Sequence, residues 1–330
     1  MTASTDAPAG ARAQQERMPD FFIVGHPKCG TTALYEMLTR HPQIHMPVKE
    51  PRFFAPVQRQ RGSGPGSTAH LPETLEEYLS IFDAARPGQR VGDASAQYLM
   101  SHTAATEIAE LQPAARIVAI LREPAGFLRS LHLQSVQDHV ETEKDLGKAI
   151  GLERLRREGD ALPRDPMRPQ ALLYSEHVRY VEQLRRYQAV FPSEQVLILI
   201  YDDFRADNER VVRRVLRFLD VDELSSFEAT QANPTVRLRS RKMDELLNSL
   251  SLGRGPFSRV LKTSVKALTP RTLRRGTLRQ ARRQVVYGKP HPPDEQLMLE
   301  LRRRFKGEVV ALSEHLNRDL VTLWGYDGVD

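Results

Sequence analysis

The sequence predicts an α/β fold of three layers, with a central, mostly parallel sheet and helices on both faces. Three observations lead there. The runs "DFFIVG", "ARIVAIL" and "EQVLILIY" are apolar without alternation, as in strands buried on both faces. Amphipathic helical stretches separate them, as in right-handed strand–helix–strand units. The 330 residues, 40% hydrophobic and 27% charged, suffice for one large buried core.

The elements follow in chain order. Residues 1–18 hold no apolar core and read as a flexible polar tail rather than a signal peptide; 19–330 read as a single domain. The first strand, "DFFIVG", runs into a glycine loop and a helix over about Thr31 to Arg40, with Leu34, Met37 and Leu38 on one face. "HPQIHMPVKEPRFFAP" is too rich in proline for a helix and reads as loop or short extended chain. Residues 59–70 form a Gly/Ser insertion. "TLEEYLSIF" is a helix capped by Thr74, with Glu77 three residues on.

"VGDASAQYL" begins another strand-to-loop passage, and a helix around Ala104 to Leu111 leads into "ARIVAIL". That strand runs into "REPAGFLRSLHLQSV", where Pro124 is placed to open a helix. A proline-rich break at 160–170 precedes the helical "SEHVRYVEQLRRYQAVF" and the strand "EQVLILIY". "NERVVRRVLRFLDV" is amphipathic, and one or two long helices start just after Pro292 and Pro293. There is no internal repeat.

The loop after the first strand, Gly25-His26-Pro27-Lys28-Cys29-Gly30-Thr31-Thr32, is P-loop-like. A strand, a glycine turn and a helix N-terminus aim backbone N–H groups and a helix dipole at an anion. Gly25 and Gly30 permit the turn, Lys28 adds a charge at its crest, and Thr31 and Thr32 offer hydroxyls. An ordinary strand-to-helix turn with a threonine cap is the plainer alternative. A nucleotide triphosphatase would carry its lysine directly after the last glycine and an acidic residue at the end of a buried strand for magnesium. Here "RIVAIL" ends in Arg122, the wrong sign for magnesium and the right sign for a second phosphate.

With "PKCGTTAL" and "RIVAILREPAGFLRSLH" together, the chain resembles the sulfotransferases that use 3′-phosphoadenosine 5′-phosphosulfate (PAPS), in particular the carbohydrate (heparan-type) and related bacterial enzymes. "HPQIHMPVKEPRFF", "YVEQLRRYQAVFPSEQVLILIYDDFRAD" and "FKGEVVALSEHLNRDLVTLWGY" extend the likeness over most of the chain. The resemblance implies that Lys28, Cys29, Gly30, Thr31 and Thr32 surround the 5′-phosphosulfate. It implies that Arg122 and Ser130 grip the 3′-phosphate, and that a late basic loop, matched here by Arg275 and Gly276, closes over it. PAP would be the product, and no metal is required.

The same resemblance makes Glu50 of "VKEPRFF" the base that takes the acceptor proton and Lys28 the cation at the leaving oxygen. A histidine is the alternative base. Lys49 and Arg52 flank Glu50 and hold its pKa down unless it is desolvated. One position departs from the heparan-type pattern: a lysine of their strand-to-loop passage is Ala94 here. His26, His102 and His132 are candidate substitutes for that cation, with His26 also readable as a loop filler.

The net charge of +6 is unevenly spread: residues 251–290 hold many Lys and Arg and no Asp or Glu. That segment reads as a solvated basic face, as a lid, or as an acceptor-side surface with weak contact to a membrane or a lipid-like acceptor. The single cysteine, Cys29, fits a reducing compartment. With no membrane anchor in the sequence, the expectation is a cytoplasmic enzyme acting on a hydroxyl-bearing small molecule, sugar or natural product. A P-loop kinase or NTPase is the first rival reading. A nucleic-acid-binding protein using the basic segment is the second, and it leaves both phosphate motifs unexplained. The sequence does not specify an oligomeric state.

Overall fold

A computed structural model describes residues 18–55, 71–163, 169–223, 237–238, 287–288 and 292–329. Of the predicted tail, only Met18 is among them, packed against the core. The Gly/Ser insertion at 59–70, apart from its neighbours at 71 onward, lies outside the described residues, as do 164–168 of the proline-rich break.

Five parallel strands form the central sheet: β1 (Phe21–Ile23), β2 (Ile44–His45), β3 (Arg90–Ala94), β4 (Arg116–Leu121) and β5 (Val196–Ile200). Their spatial order is β2-β3-β1-β4-β5, so the winding reverses at β1. Phe21, Phe22 and Ile23 are fully buried, as are Ile117 and Val118 of β4, which is why these strands read as unbroken apolar runs. β2 is only two residues long and sits in the proline-rich passage; its partner β3 makes it a strand, through Ile44 opposite Arg90 and His45 opposite Val91.

The helices form two groups. α1 (Thr31–Leu38) follows the glycine loop; it ends at Leu38, two residues before the predicted end. α2 (Leu75–Ser80) is capped as predicted, with Thr74 Oγ1 accepting from the Glu77 N–H at 3.1 Å. α3 (Ala104–Leu111), α4 (Pro124–Gln137), α5 (Leu146–Gly151) and α6 (Glu153–Arg157) follow. A 3₁₀ turn over Tyr174–Val178 leads into α7 (Tyr180–Gln188). α8 (Tyr201–Ala206) and α9 (Asn208–Phe218) follow β5, and α10 (Glu295–Leu316) and α11 (Leu320–Leu323) close the chain. α9 packs on α1, whereas α10 packs on α4 and α7, and α3 on α7. With β1 buried throughout and β4 buried from Ile117 to Leu121, both sheet faces are covered.

Within the basic segment only β7 (Tyr287–Gly288) is described, paired antiparallel with β6 (Arg237–Leu238). Arg275 and Gly276 lie outside the described residues.

A buried ion pair fastens the chain beyond α4. Glu141 accepts from Arg156 Nη1 and Nη2 at 2.9 and 3.0 Å, from Tyr174 at 3.0 Å and from the N–H groups of Thr142 and Glu143 at 2.8 Å. Both side chains are almost fully buried. Removing one partner leaves the other charge unpaired in the interior, at a cost of about 3–5 kcal/mol. Glu141→Ala is therefore expected to lose that much in urea unfolding; a loss below about 1 kcal/mol would show that the pair is not the fastener.

Candidate active site

All five strands point their carboxyl ends the same way, and Lys28, Glu50 and Arg122 all follow strand ends on that edge. The register sets their spacing. Ile23 of β1 lies opposite Ala94 of β3, and Ala94 forms a parallel bridge with Lys49. The backbone beside Glu50 is thus two strand spacings from β1, about 10 Å. On the other side Ile23 lies opposite Val118, and Leu121 opposite Ile200, so Arg122 and Tyr201 leave neighbouring strands side by side.

The glycine loop is shaped by close packing. A Cβ on Gly25 would stand 2.7 Å from the Ile120 side chain and 2.8 Å from its carbonyl oxygen. Gly30 has φ +90°, and a Cβ there would meet the Tyr201 ring at 3.0 Å. Only glycine satisfies both conditions. Lys28, between them, is left-handed as well (φ 67°), unusual for a residue with a side chain.

Helix α1 has no side-chain cap and no acidic residue in its first turn, so its N–H groups and the positive end of its dipole face the loop. Thr31 is buried there and Thr32 is partly exposed. Helix α4 starts differently. Glu123 caps it, accepting from Ala125 N–H at 2.9 Å, and Tyr326 donates to the same carboxylate at 2.6 Å. Of the two helices that start at this edge after β1 and β4, α1 is the one left open to an anion.

Arg122 spans from β4 to the loop. Its Nη1 donates to the Lys28 carbonyl at 2.9 Å and its guanidinium lies 4.9 Å from the centre of the Tyr201 ring. The Tyr180 hydroxyl donates to the Arg122 carbonyl at 2.8 Å. Lys28 Nζ donates to Gln134 Oε1 at 3.4 Å, and Gln134 Nε2 donates to Asp138 at 2.9 Å. Burial, and then the charge of Arg122, lower the Lys28 ammonium from its ordinary value. Among the described residues neither Lys28 nor Arg122 is paired with a carboxylate, so two cations share one loop without a protein anion between them. Ser130 lies in the second turn of α4 and is buried.

Cys29 is fully buried, and burial pushes its thiol up to about 12, so it offers the site no nucleophile; its N–H donates within the loop to the His26 carbonyl at 3.4 Å. His26 is the loop filler of the two readings offered by the sequence. It is fully buried, accepts or donates at 2.7 Å with Gln183, packs among Phe127, Tyr180 and His177, and is lowered to about 3 by burial and then by His177. His132 faces the Glu143 carbonyl and Tyr174, and His102 lies beside Arg186. Beside Ala94, Lys49 is bridged to it across the sheet edge, and the Arg52 N–H donates to Ser95 Oγ at 3.0 Å.

Glu50 sits in that turn with φ 61°, followed by Arg52 with φ 58°. Lys49 Nζ donates to Glu50 Oε1 at 2.7 Å, and Arg52 donates to Oε2 through Nε at 3.1 Å and through Nη2. Burial raises the carboxyl, but Lys49 and Arg52 outweigh it and hold it at about 2. The sequence foresaw this depression from the flanking charges. It did not show Tyr201, expected as the last residue of β5, to be the ring beneath Arg122, nor Gln134 to be the partner of Lys28.

Comparison with known proteins points the same way. The model of the Sulfotransferase family matches residues 19–225. The chain is 29% identical over 214 residues to the bifunctional heparan sulfate N-deacetylase/N-sulfotransferase 3 of Homo sapiens, covering 62% of this chain and 23% of that protein. It is 25% identical over 261 residues to carbohydrate sulfotransferase 15 of Mus musculus, covering 63% of this chain and 45% of that protein. The chain thus spans less than half the length of these relatives. Among solved structures, a sulfotransferase from Alicyclobacillus acidocaldarius matches with a TM-score of 0.56 and 28% identity, over 72% of this chain and 96% of that one.

Proposed function

The chain belongs to the sulfotransferase family, and we propose that it moves the sulfuryl group of PAPS to the hydroxyl of a small molecule, sugar or natural product. The observation that carries this reading is the order of groups along the carboxyl edge of the sheet. Glu50 follows β2, Lys28 follows β1 and Arg122 follows β4, and β1 lies between the other two. A base, a leaving-group cation and a phosphate cation in that order suit an acceptor, a phosphosulfate and a 3′-phosphate laid along one edge. The uncapped α1, the two cations that no carboxylate pairs with among the described residues, and the tight glycine loop fit a nucleotide with two phosphate positions. The names of the relatives favour a sugar among the acceptor classes.

Bound PAPS supplies an activated sulfuryl group on a phosphate leaving group. The α1 N-terminus, with the N–H groups of Gly30, Thr31 and Thr32, holds the 5′-phosphate end. Lys28, kept in place by Gln134 and by Arg122 on its carbonyl, meets the negative charge that grows on the bridging oxygen. Arg122 and Ser130 hold the 3′-phosphate. Glu50 takes the proton of the acceptor hydroxyl. A carboxylate clamped by two cations is a weak base, so Lys49 or Arg52 must turn towards the anionic substrate for Glu50 to act. Lys49 and Arg52 thereby supply the charge that Ala94 does not.

PAP binding tests the reading without an acceptor. A ligand at a hundredfold excess over its Kd stabilises the folded chain by about 2.7 kcal/mol, a rise of a few degrees in Tm. The expected rise occurs with millimolar PAP, with or without magnesium. No shift under either condition would refute the sulfotransferase activity.

A further inference from the structure

Asp93, the penultimate residue of β3, takes no part in the transfer just described, yet its carboxylate is fully buried. Three hydroxyls converge on it. Ser95 Oγ donates to Oδ1 at 2.7 Å, and Tyr98 and Tyr78 donate to Oδ2 at 2.8 and 2.9 Å. Two of these hydroxyls also accept from the Glu50 turn: Ser95 Oγ from the Arg52 N–H at 3.0 Å, and Tyr98 from the Phe54 N–H at 3.4 Å. A third tie is direct, from the Glu50 N–H to the Ala94 carbonyl at 2.9 Å.

The turn held in this way is strained. Glu50 and Arg52 both have left-handed backbones, which residues with side chains avoid unless their surroundings impose them. A carboxylate fixes the sense of every hydrogen bond around it, because it only accepts. Ser95 and Tyr98 must turn their protons to Asp93, and their lone pairs then face the turn. A neutral acid at the same place would have to donate, and one hydroxyl would lose its acceptor.

We propose that Asp93 is a positioning residue for the transfer reaction, holding the Glu50–Arg52 turn in its strained form through Ser95 and Tyr98. The proposal rests on the reading of Glu50 as the acceptor-side base. The groups facing Asp93 are Tyr78 from α2, Ser95 and Tyr98 from the loop after β3, and Glu50 from the turn itself with its partners Lys49 and Arg52. Tyr187 of α7 stands behind them, donating to the Tyr98 carbonyl at 2.9 Å. Burial raises the Asp93 carboxyl to about 6; the three hydroxyls oppose this, and the charge of Glu50 adds to it. The relay therefore loosens as pH falls through that value, while Glu50 stays ionised.

The test uses the full chain and two variants, Asp93→Asn and Ser95→Ala. In both, hydrogen exchange over residues 50–54 is expected to speed up by about tenfold or more while residues 25–31 keep their protection. PAP affinity is expected to stay within about twofold, and turnover of PAPS, followed as release of PAP with or without an acceptor, to fall by about tenfold. The wild-type rate is expected to show an acid limb near pH 6. Asp93→Asn should lack that limb, a result that loss of packing alone would not produce. Unchanged exchange over 50–54 in Ser95→Ala, or an acid limb retained in Asp93→Asn, would overturn the proposal. Ser95→Ala, which leaves the carboxylate in place, decides the matter if Asp93→Asn does not fold. Failure of the wild type to bind PAP would sink the proposed activity instead, and the exchange arm would still judge the anchor.

Discussion

Replacing Glu50 with glutamine is expected to slow transfer by about 10²–10⁴-fold, the range lost with a general base, while PAP affinity stays within about twofold. Glutamine keeps the size of the side chain and removes its capacity to take a proton. The nucleotide is proposed to lie towards β1 and β4, about two strand spacings from the turn, so its affinity reports little on residue 50. Because the Glu50 carboxyl is held at about 2, it is ionised at every working pH, and the loss should be uniform above about pH 6, where Asp93 is ionised as well. Stability provides a second readout. A carboxyl with a depressed folded pKa stabilises the fold above the unfolded pKa, and that contribution disappears as pH falls through the folded value. The wild type should lose it between about pH 4.5 and 2, and Glu50→Gln should not. The size is modest, about 1 kcal/mol or less, since the Glu50 side chain is 21% exposed and water screens the pair. Turnover at the wild-type rate in Glu50→Gln would remove Glu50 as the base.

Much of the edge was legible because it depends on local chemistry. A strand buried on both faces must be apolar, so "DFFIVG" and "RIVAIL" announced β1 and β4, and the residues that follow them announced the loop and Arg122. The depression of Glu50 was legible too, since its two cations are its sequence neighbours. What stayed hidden depends on contacts between distant segments. β2 exists because β3 pairs with it, not because Ile44 and His45 differ from the residues around them. The left-handed backbones at Lys28, Glu50 and Arg52 carry no glycine to signal them. Asp93 is held by Tyr78, Ser95 and Tyr98, hydroxyls from two segments that nothing in composition or spacing ties to the Glu50 turn. Tyr201 lies under Arg122 because β4 and β5 are in register at their ends, a fact of pairing that no single strand contains.

Arg122→Ala carries the other large effect. Deleting one partner of a charge-assisted contact costs about 2–5 kcal/mol, so PAP should bind about 30-fold to several thousandfold more weakly. Arg122 also donates to the Lys28 carbonyl and stacks on Tyr201, so a weaker PAP complex alone does not distinguish a phosphate ligand from a prop for the loop. Adenosine 5′-monophosphate separates the two, because it has the 5′-phosphate and lacks the 3′-phosphate. If Arg122 holds the 3′-phosphate, the variant loses most of the preference of the wild type for PAP over the monophosphate and keeps only the part that Ser130 supplies. If Arg122 only props Lys28, both affinities fall by the same factor and the preference survives. Arg122→Lys refines the comparison: lysine keeps the charge but not the planar fork or the stacking on Tyr201, so an intermediate preference for PAP is expected. An Arg122→Ala protein that still prefers PAP to the same degree would move the 3′-phosphate away from the end of β4, and with it the argument that the cation after this strand marks a second phosphate.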